Sequence, residues 1–143
     1  MREVAYGASV DADTPGNDPT PSRLTIALAW VAARQARNRV LDSSLFADPA
    51  WDILLDLYIC HAQDVRGTIS DACIASSVPA TTALRWISIL ESRDLVTRSR
   101  DPKDRRRTFL NLSAQGVRKM EEALDGASAS DAKLGLGRLR AVK

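Results

Sequence analysis

The sequence is short of most residues that carry chemistry. Of its 143 residues one is histidine and two are cysteine, Cys60 and Cys73, at no repeated spacing. That excludes a disulfide scaffold and points to a reducing compartment, so a cytoplasmic protein is expected. His61 has no second ligand at metal-binding spacing, and no metal or other cofactor is expected. No glycine-rich phosphate loop, GxSxG elbow or paired carboxylates suited to acid–base work occur, so an enzyme is not expected. No apolar run approaches the ~18 residues of a membrane-spanning helix, and the start, MREVAYGASVDADTPG, has no apolar core of a signal peptide. Aromatic residues are only 5% of the chain, so alanine, leucine, isoleucine and valine must build the interior.

What is present is an ordinary globular composition, 45% hydrophobic and 27% charged, long enough for one domain with flanking segments. Residues 1–20 are rich in Ala, Asp, Pro, Thr and Gly without apolar periodicity, and read as a mobile N-terminal arm. Thr20-Pro21 suits a helix entry, and Leu24, Ala27, Leu28 and Val31 mark the apolar face of a helix over 21–40. Asp48-Pro49 opens a second helix by the same logic. Its apolar stripe (Trp51, Leu54, Leu55, Tyr58) is widened by Ile53, Leu57 and Cys60, which implies packing on more than one side. Gly67 breaks the chain, and Thr68-Ile69 suits a single strand pair. Ser70-Asp71 is expected to cap a short third helix ending near Ser76. A fourth runs over 79–93, with Ala83, Trp86/Ile87 and Leu90 as its buried row. Strands are expected at 95–98 and 108–112, with DPKDRRR as the hairpin tip. Ser113 caps a last helix through Val117, Met120, Ala123 and Leu124. After Asp125, residues 126–143 contain several glycines and read as a short tail, frayed or weakly helical.

The net charge is only +2, so its distribution matters more than its sum. Residues 98–107 hold Arg98, Arg100, Lys103, Arg105, Arg106 and Arg107 against Asp101 and Asp104. A basic finger this narrow suits phosphates or a minor groove. In Asp104-x-Arg106 the carboxylate is expected to orient the guanidinium. The free face of the fourth helix begins with Ala80, Thr81 and Thr82, followed by Arg85 one turn on and Ser88 a turn further. Small residues let a backbone approach a major groove, and arginine grips guanine O6 and N7 with two hydrogen bonds. The fold class that follows is mainly α with a small β-hairpin wing, a winged helix-turn-helix. The residues expected at the DNA are Ala80, Thr81, Thr82, Arg85, Ser88, Arg98, Lys103, Asp104, Arg105, Arg106 and Arg107.

The stretch RWISILESRDLVTRSRDPKDRRRTFLNLSAQG resembles the recognition helix, wing and following helix of MarR-type transcriptional regulators. The likeness covers about residues 50–125 and is most specific at Asp104-x-Arg106 and Leu112-Ser113-x-x-Gly116, with Leu90-Glu91 and Leu95-Val96-x-Arg98 in support. It implies that Arg106 reaches a minor groove, oriented by Asp104, and that Thr81, Thr82 and Arg85 face a major groove. Asp94 stands where the family usually has glycine, and aspartate tolerates the left-handed backbone needed there. The resemblance also implies a homodimer on double-stranded DNA. The first helix of the 21–125 domain would supply much of the interface, and a small-molecule effector of unknown identity is compatible with it. A winged helix serving as a protein-interaction module is the alternative, but such a module has no need of Arg105, Arg106 and Arg107 together.

Overall fold

The computed structural model describes residues 22–134, so the arm over 1–20 and the tail beyond 134 lie outside the described residues. The chain order is α1 (Arg23–Val40), a short 3-10 turn (Ser43–Leu45), α2 (Pro49–Ala62), α3 (Ile69–Ala75), α4 (Ala80–Ser92), β1 (Val96–Arg100), β2 (Thr108–Leu112) and α5 (Ala114–Leu134). Among these elements no single helix is long and apolar enough to cross a membrane.

The wide apolar stripe of α2 has the consequence read from it, because α2 lies between two cores. On one side Leu55, Tyr58 and Ile59 meet Ala27 and Leu28 of α1 and Met120 and Leu124 of α5. On the other Ile53 and Leu57 meet Ala72 of α3, Ile87 and Leu90 of α4, and Val96 and Leu110 of the hairpin. Each fully buried Leu or Ile contributes roughly 1.5–3 kcal/mol relative to an exposed one. The first core holds the terminal helices together and the second holds the helix-turn-helix and wing. One helix therefore sets the position of both halves.

Polar contacts fasten the outside of the first core. Arg23 donates to both carboxylate oxygens of Asp125 at 2.9 and 3.0 Å and lies 3.5 Å from Glu121, tying the start of α1 to α5. This hydrogen bonding holds the Asp125 carboxyl below its ordinary range. Trp30 meets Trp51 edge-to-face at 5.7 Å. Arg34 is turned inward onto Asp52 of α2. Burial of Asp52 outweighs that partner and pushes its carboxyl upward.

Helix ends differ from the sequence reading in detail. Ser22 caps α1, accepting the Thr25 N–H at 3.1 Å. Asp48 precedes α2 but makes no capping hydrogen bond, and its carboxylate lies 3.9 Å from Arg34 instead. The cap of α3 is Thr68 rather than Ser70-Asp71. Its hydroxyl accepts the Asp71 N–H at 3.2 Å and pairs with the Asp71 carboxylate at 2.9 Å, satisfying an otherwise open amide of the first turn. Thr68 also forms the expected single bridge, to Phe109, while Ile69 begins the helix. Helix α5 continues nine residues past Asp125, to Leu134. A lone glycine costs about 1 kcal/mol in a helix, and Gly126 sits among alanines that favour helix and faces open space.

Gly67 is needed for close packing. Its carbonyl accepts the Leu110 N–H at 2.9 Å, and its own N–H donates to the Asn111 side chain at 3.1 Å. A Cβ here would press on the Leu110 carbonyl and stand 2.9 Å from Leu57 Cδ2. Gly67→Ala should therefore cost roughly 1–3 kcal/mol, the usual range for overpacking. Urea unfolding followed by circular dichroism should show a lower midpoint, and an unchanged midpoint would contradict this packing.

Candidate nucleic-acid interface

Helix α4 is amphipathic in the expected register. Ala83, Ile87 and Leu90 are buried and Trp86 is half-buried, while Ala80, Thr81, Thr82, Arg85 and Ser88 are all exposed. Pro79 precedes the first turn as its cap, so the helix starts at Ala80. The turn from α3 into α4 passes through Ser77 at φ 61°, a left-handed conformation uncommon outside glycine.

The exit from α4 is equally constrained. Asp94 adopts φ 59°, as its position implied. The Leu95 N–H bonds to the Leu90 carbonyl at 3.1 Å and the Asp94 N–H to the Glu91 carbonyl at 3.0 Å, which closes the helix in a Schellman arrangement. The chain then enters β1, antiparallel to β2, with Val96 opposite Leu112, Arg98 opposite Leu110 and Arg100 opposite Thr108.

The Leu-Ser-x-x-Gly motif now has a physical role. Ser113 Oγ donates to the Asp94 carbonyl at 2.6 Å and accepts the Gly116 N–H at 2.9 Å, while the Ser113 N–H bonds to the Leu95 carbonyl at 3.0 Å. The first turn of α5 is thereby fixed to the corner joining α4 and β1.

At the wing tip both aspartates shape the loop. The side chain of buried Asp101 accepts the Lys103 N–H at 2.8 Å, and its own N–H donates to the Arg107 carbonyl at 3.1 Å. The Asp104 carboxylate accepts the Arg106 N–H at 3.0 Å and lies 3.4 Å from Arg106 Nε. The Arg106 side chain is nonetheless 91% exposed. Arg106 is thus aimed outward from a fixed base. Lys103, Arg105 and Arg107 are exposed beside it.

Two of the expected residues meet each other. Arg98 donates to Ser88 Oγ at 2.9 Å and to Glu91 at 3.0 Å. This arginine braces β1 against α4, and Glu91 offsets its charge. Glu91 was absent from the residues expected here, although Leu90-Glu91 stood in the motif. Arg66 was also missed: its guanidinium lies 4.6 Å from the Phe109 ring centroid, a contact that no spacing in the sequence reveals. Burial pushes the Cys73 thiol above its ordinary value. Among the described residues no group of three or more His, Cys, Asp or Glu is placed to hold a metal ion.

Residues 50–116 match a family profile described as a winged helix DNA-binding domain. Solved structures share the fold. Staphylococcus aureus MepR in its DNA-binding conformation is 20% identical, with a TM-score of 0.53 over 78% of this chain and 79% of that one. A point variant of S. aureus MepR bound to an oligodeoxyribonucleotide is 23% identical, with a TM-score of 0.53 over 77% and 78%. PA4135, described as a transcriptional regulator, is 19% identical, with a TM-score of 0.51 over 82% and 84%. No match to a curated protein was found. The fold is a winged helix-turn-helix, and the segment from α2 to the start of α5 is similar to winged helix DNA-binding domains.

Proposed function

We propose that the protein is a cytoplasmic transcriptional regulator that binds double-stranded DNA as a homodimer. Helix α4 enters the major groove, with Thr81, Thr82 and Arg85 at the bases, and the wing places Arg106 in the adjoining minor groove. The observation that carries this reading is the pairing of an outward, small-residue helix face with an exposed wing arginine seated on Asp104. The DNA-binding conformation and bound oligodeoxyribonucleotide of the MepR structures support the same partner. The dimer rests on α1. Trp30, Val40, Leu41 and Leu45 leave large apolar surface exposed along its length and the turn after it. Two-fold symmetry then calls for a pseudo-palindromic site with half-sites about one helical turn apart.

Fluorescence anisotropy on duplex fragments from the source genome tests the reading. Some fragments should bind tightly, with affinity falling as salt rises because phosphate contacts release counterions. Arg85→Ala should weaken the best fragment roughly tenfold and relax its sequence preference, as expected for loss of a bidentate base contact. No binding to any duplex at low salt would overturn the proposal, and a monomer by sedimentation with and without DNA would overturn the dimer.

A further inference from the structure

The recognition helix has a second outward row, displaced toward the wing. Leu84, Ser88 and Glu91 stand at i, i+4 and i+7, so they share one stripe of the helix. Ser88 and Glu91 are both engaged by Arg98 of β1. This fixes the stripe's direction, which faces the gap between α4 and the wing. It also occupies Ser88, whose hydroxyl oxygen is held by a guanidinium of the same chain. Leu84 is one turn nearer the helix N-terminus, the end expected to enter the groove. It is 41% exposed and belongs to neither hydrophobic core.

A single exposed leucine is ordinary on a protein surface. Leu84 is set apart by its neighbours, since it directly precedes Arg85 and lies one turn beyond Thr81 and Ala80 on the face otherwise made of small or polar groups. In a major groove the one apolar feature that distinguishes bases is the C5-methyl group of thymine. We infer that Leu84 is a specificity-determining residue that reads a thymine methyl, next to the base contacted by Arg85, while Ser88 braces the wing. The assignment rests on the DNA-binding reading above.

The test removes the methyl and nothing else. A duplex is selected from a random pool with the full-length protein, and each thymine in it is replaced singly by deoxyuridine. At one position per half-site the wild-type protein should bind the uracil duplex about fourfold more weakly, the worth of one methyl taken out of water. Leu84→Ala should bind the thymine and uracil duplexes equally, and Leu84→Met, which keeps an apolar reach, should retain the difference. Thermal melting of the variants confirms that each is folded. Wild-type indifference to every uracil substitution overturns the assignment, as does undiminished thymine preference in Leu84→Ala. In both cases DNA is still bound and the regulator reading stands. Recovery of no duplex from the pool would instead overturn that reading, and the Leu84 assignment with it.

Discussion

Gly116→Ala should be among the most damaging single-methyl substitutions in the chain. A Cβ at this position would fall well inside 3.0 Å of the Leu95 carbonyl oxygen and stand 3.3 Å from Leu112 Cδ2. The nearer obstacle is backbone and has no rotamer by which to withdraw. That backbone is held on both sides. Its carbonyl accepts the Ser113 N–H, and the preceding Asp94 carbonyl accepts the Ser113 hydroxyl in a corner already committed to a left-handed residue. The helix cannot retreat without breaking these bonds and moving Met120 and Leu124 out of the first core. A loss of about 3 kcal/mol is expected, at the upper end of overpacking penalties. For a domain of this size that corresponds to a fall in melting temperature of several degrees or more. Calorimetry on the variant checks it, with Gly126→Ala as the contrast. A methyl at Gly126 meets nothing within 4 Å, so that change should be neutral or stabilising. Equal melting temperatures for the two variants would show that Gly116 is not the close contact it is taken to be.

The contrast between these glycines also shows which features a sequence discloses. Gly116 was legible through its place in Leu-Ser-x-x-Gly, whereas the reason for it, a carbonyl from the α4–β1 corner lying against it, is a tertiary fact. The helices were legible from apolar rows at helical spacing, and the wing from two short strand-like runs on either side of a charged tip. The double-sided α2 was legible from a stripe too wide for one interface. Boundaries set by competing polar groups were less so. Thr68, Ser70 and Asp71 are all good capping residues, and only the bridge to Phe109, which holds Thr68 extended, decides among them. Gly126 suggested an end to α5 because its cost is visible locally, while the helix-forming alanines around it act cumulatively. In the interface, the Asp104–Arg106 pairing could be read because the partners are two residues apart. The bracing of Arg98 against Glu91 and Ser88 was not legible, because these partners, seven and ten positions earlier, meet it only once the strand folds back.

Asp104 offers the sharpest test of the wing, because two physical effects predict opposite signs. If the wing were only a cloud of positive charge, removing a carboxylate would strengthen DNA binding. If Asp104 acts by holding Arg106 in a single outward orientation, removing it should weaken binding despite the more favourable net charge. The second outcome is expected. Arg106→Ala should reduce affinity roughly tenfold or more and lower the slope of log affinity against log salt by about one, the signature of one lost cationic contact. Asp104→Asn keeps an oxygen that can accept the Arg106 N–H, so the loop should survive, but it loses the charge facing the guanidinium. A few-fold loss is expected, with the salt slope nearly unchanged because Arg106 is still present. The exposed Asp104–Arg106 pair contributes only about 0–1 kcal/mol to folding, so melting temperatures of both variants should stay close to that of the wild-type protein and separate binding from stability. Combining the changes completes the argument. In an Arg106→Ala background, Asp104→Asn should no longer weaken binding and should strengthen it slightly, since only the charge effect remains. Binding measured by anisotropy at two salt concentrations across this cycle decides the matter: tighter binding by Asp104→Asn alone would mean that the wing works by charge density, with no orienting role for Asp104.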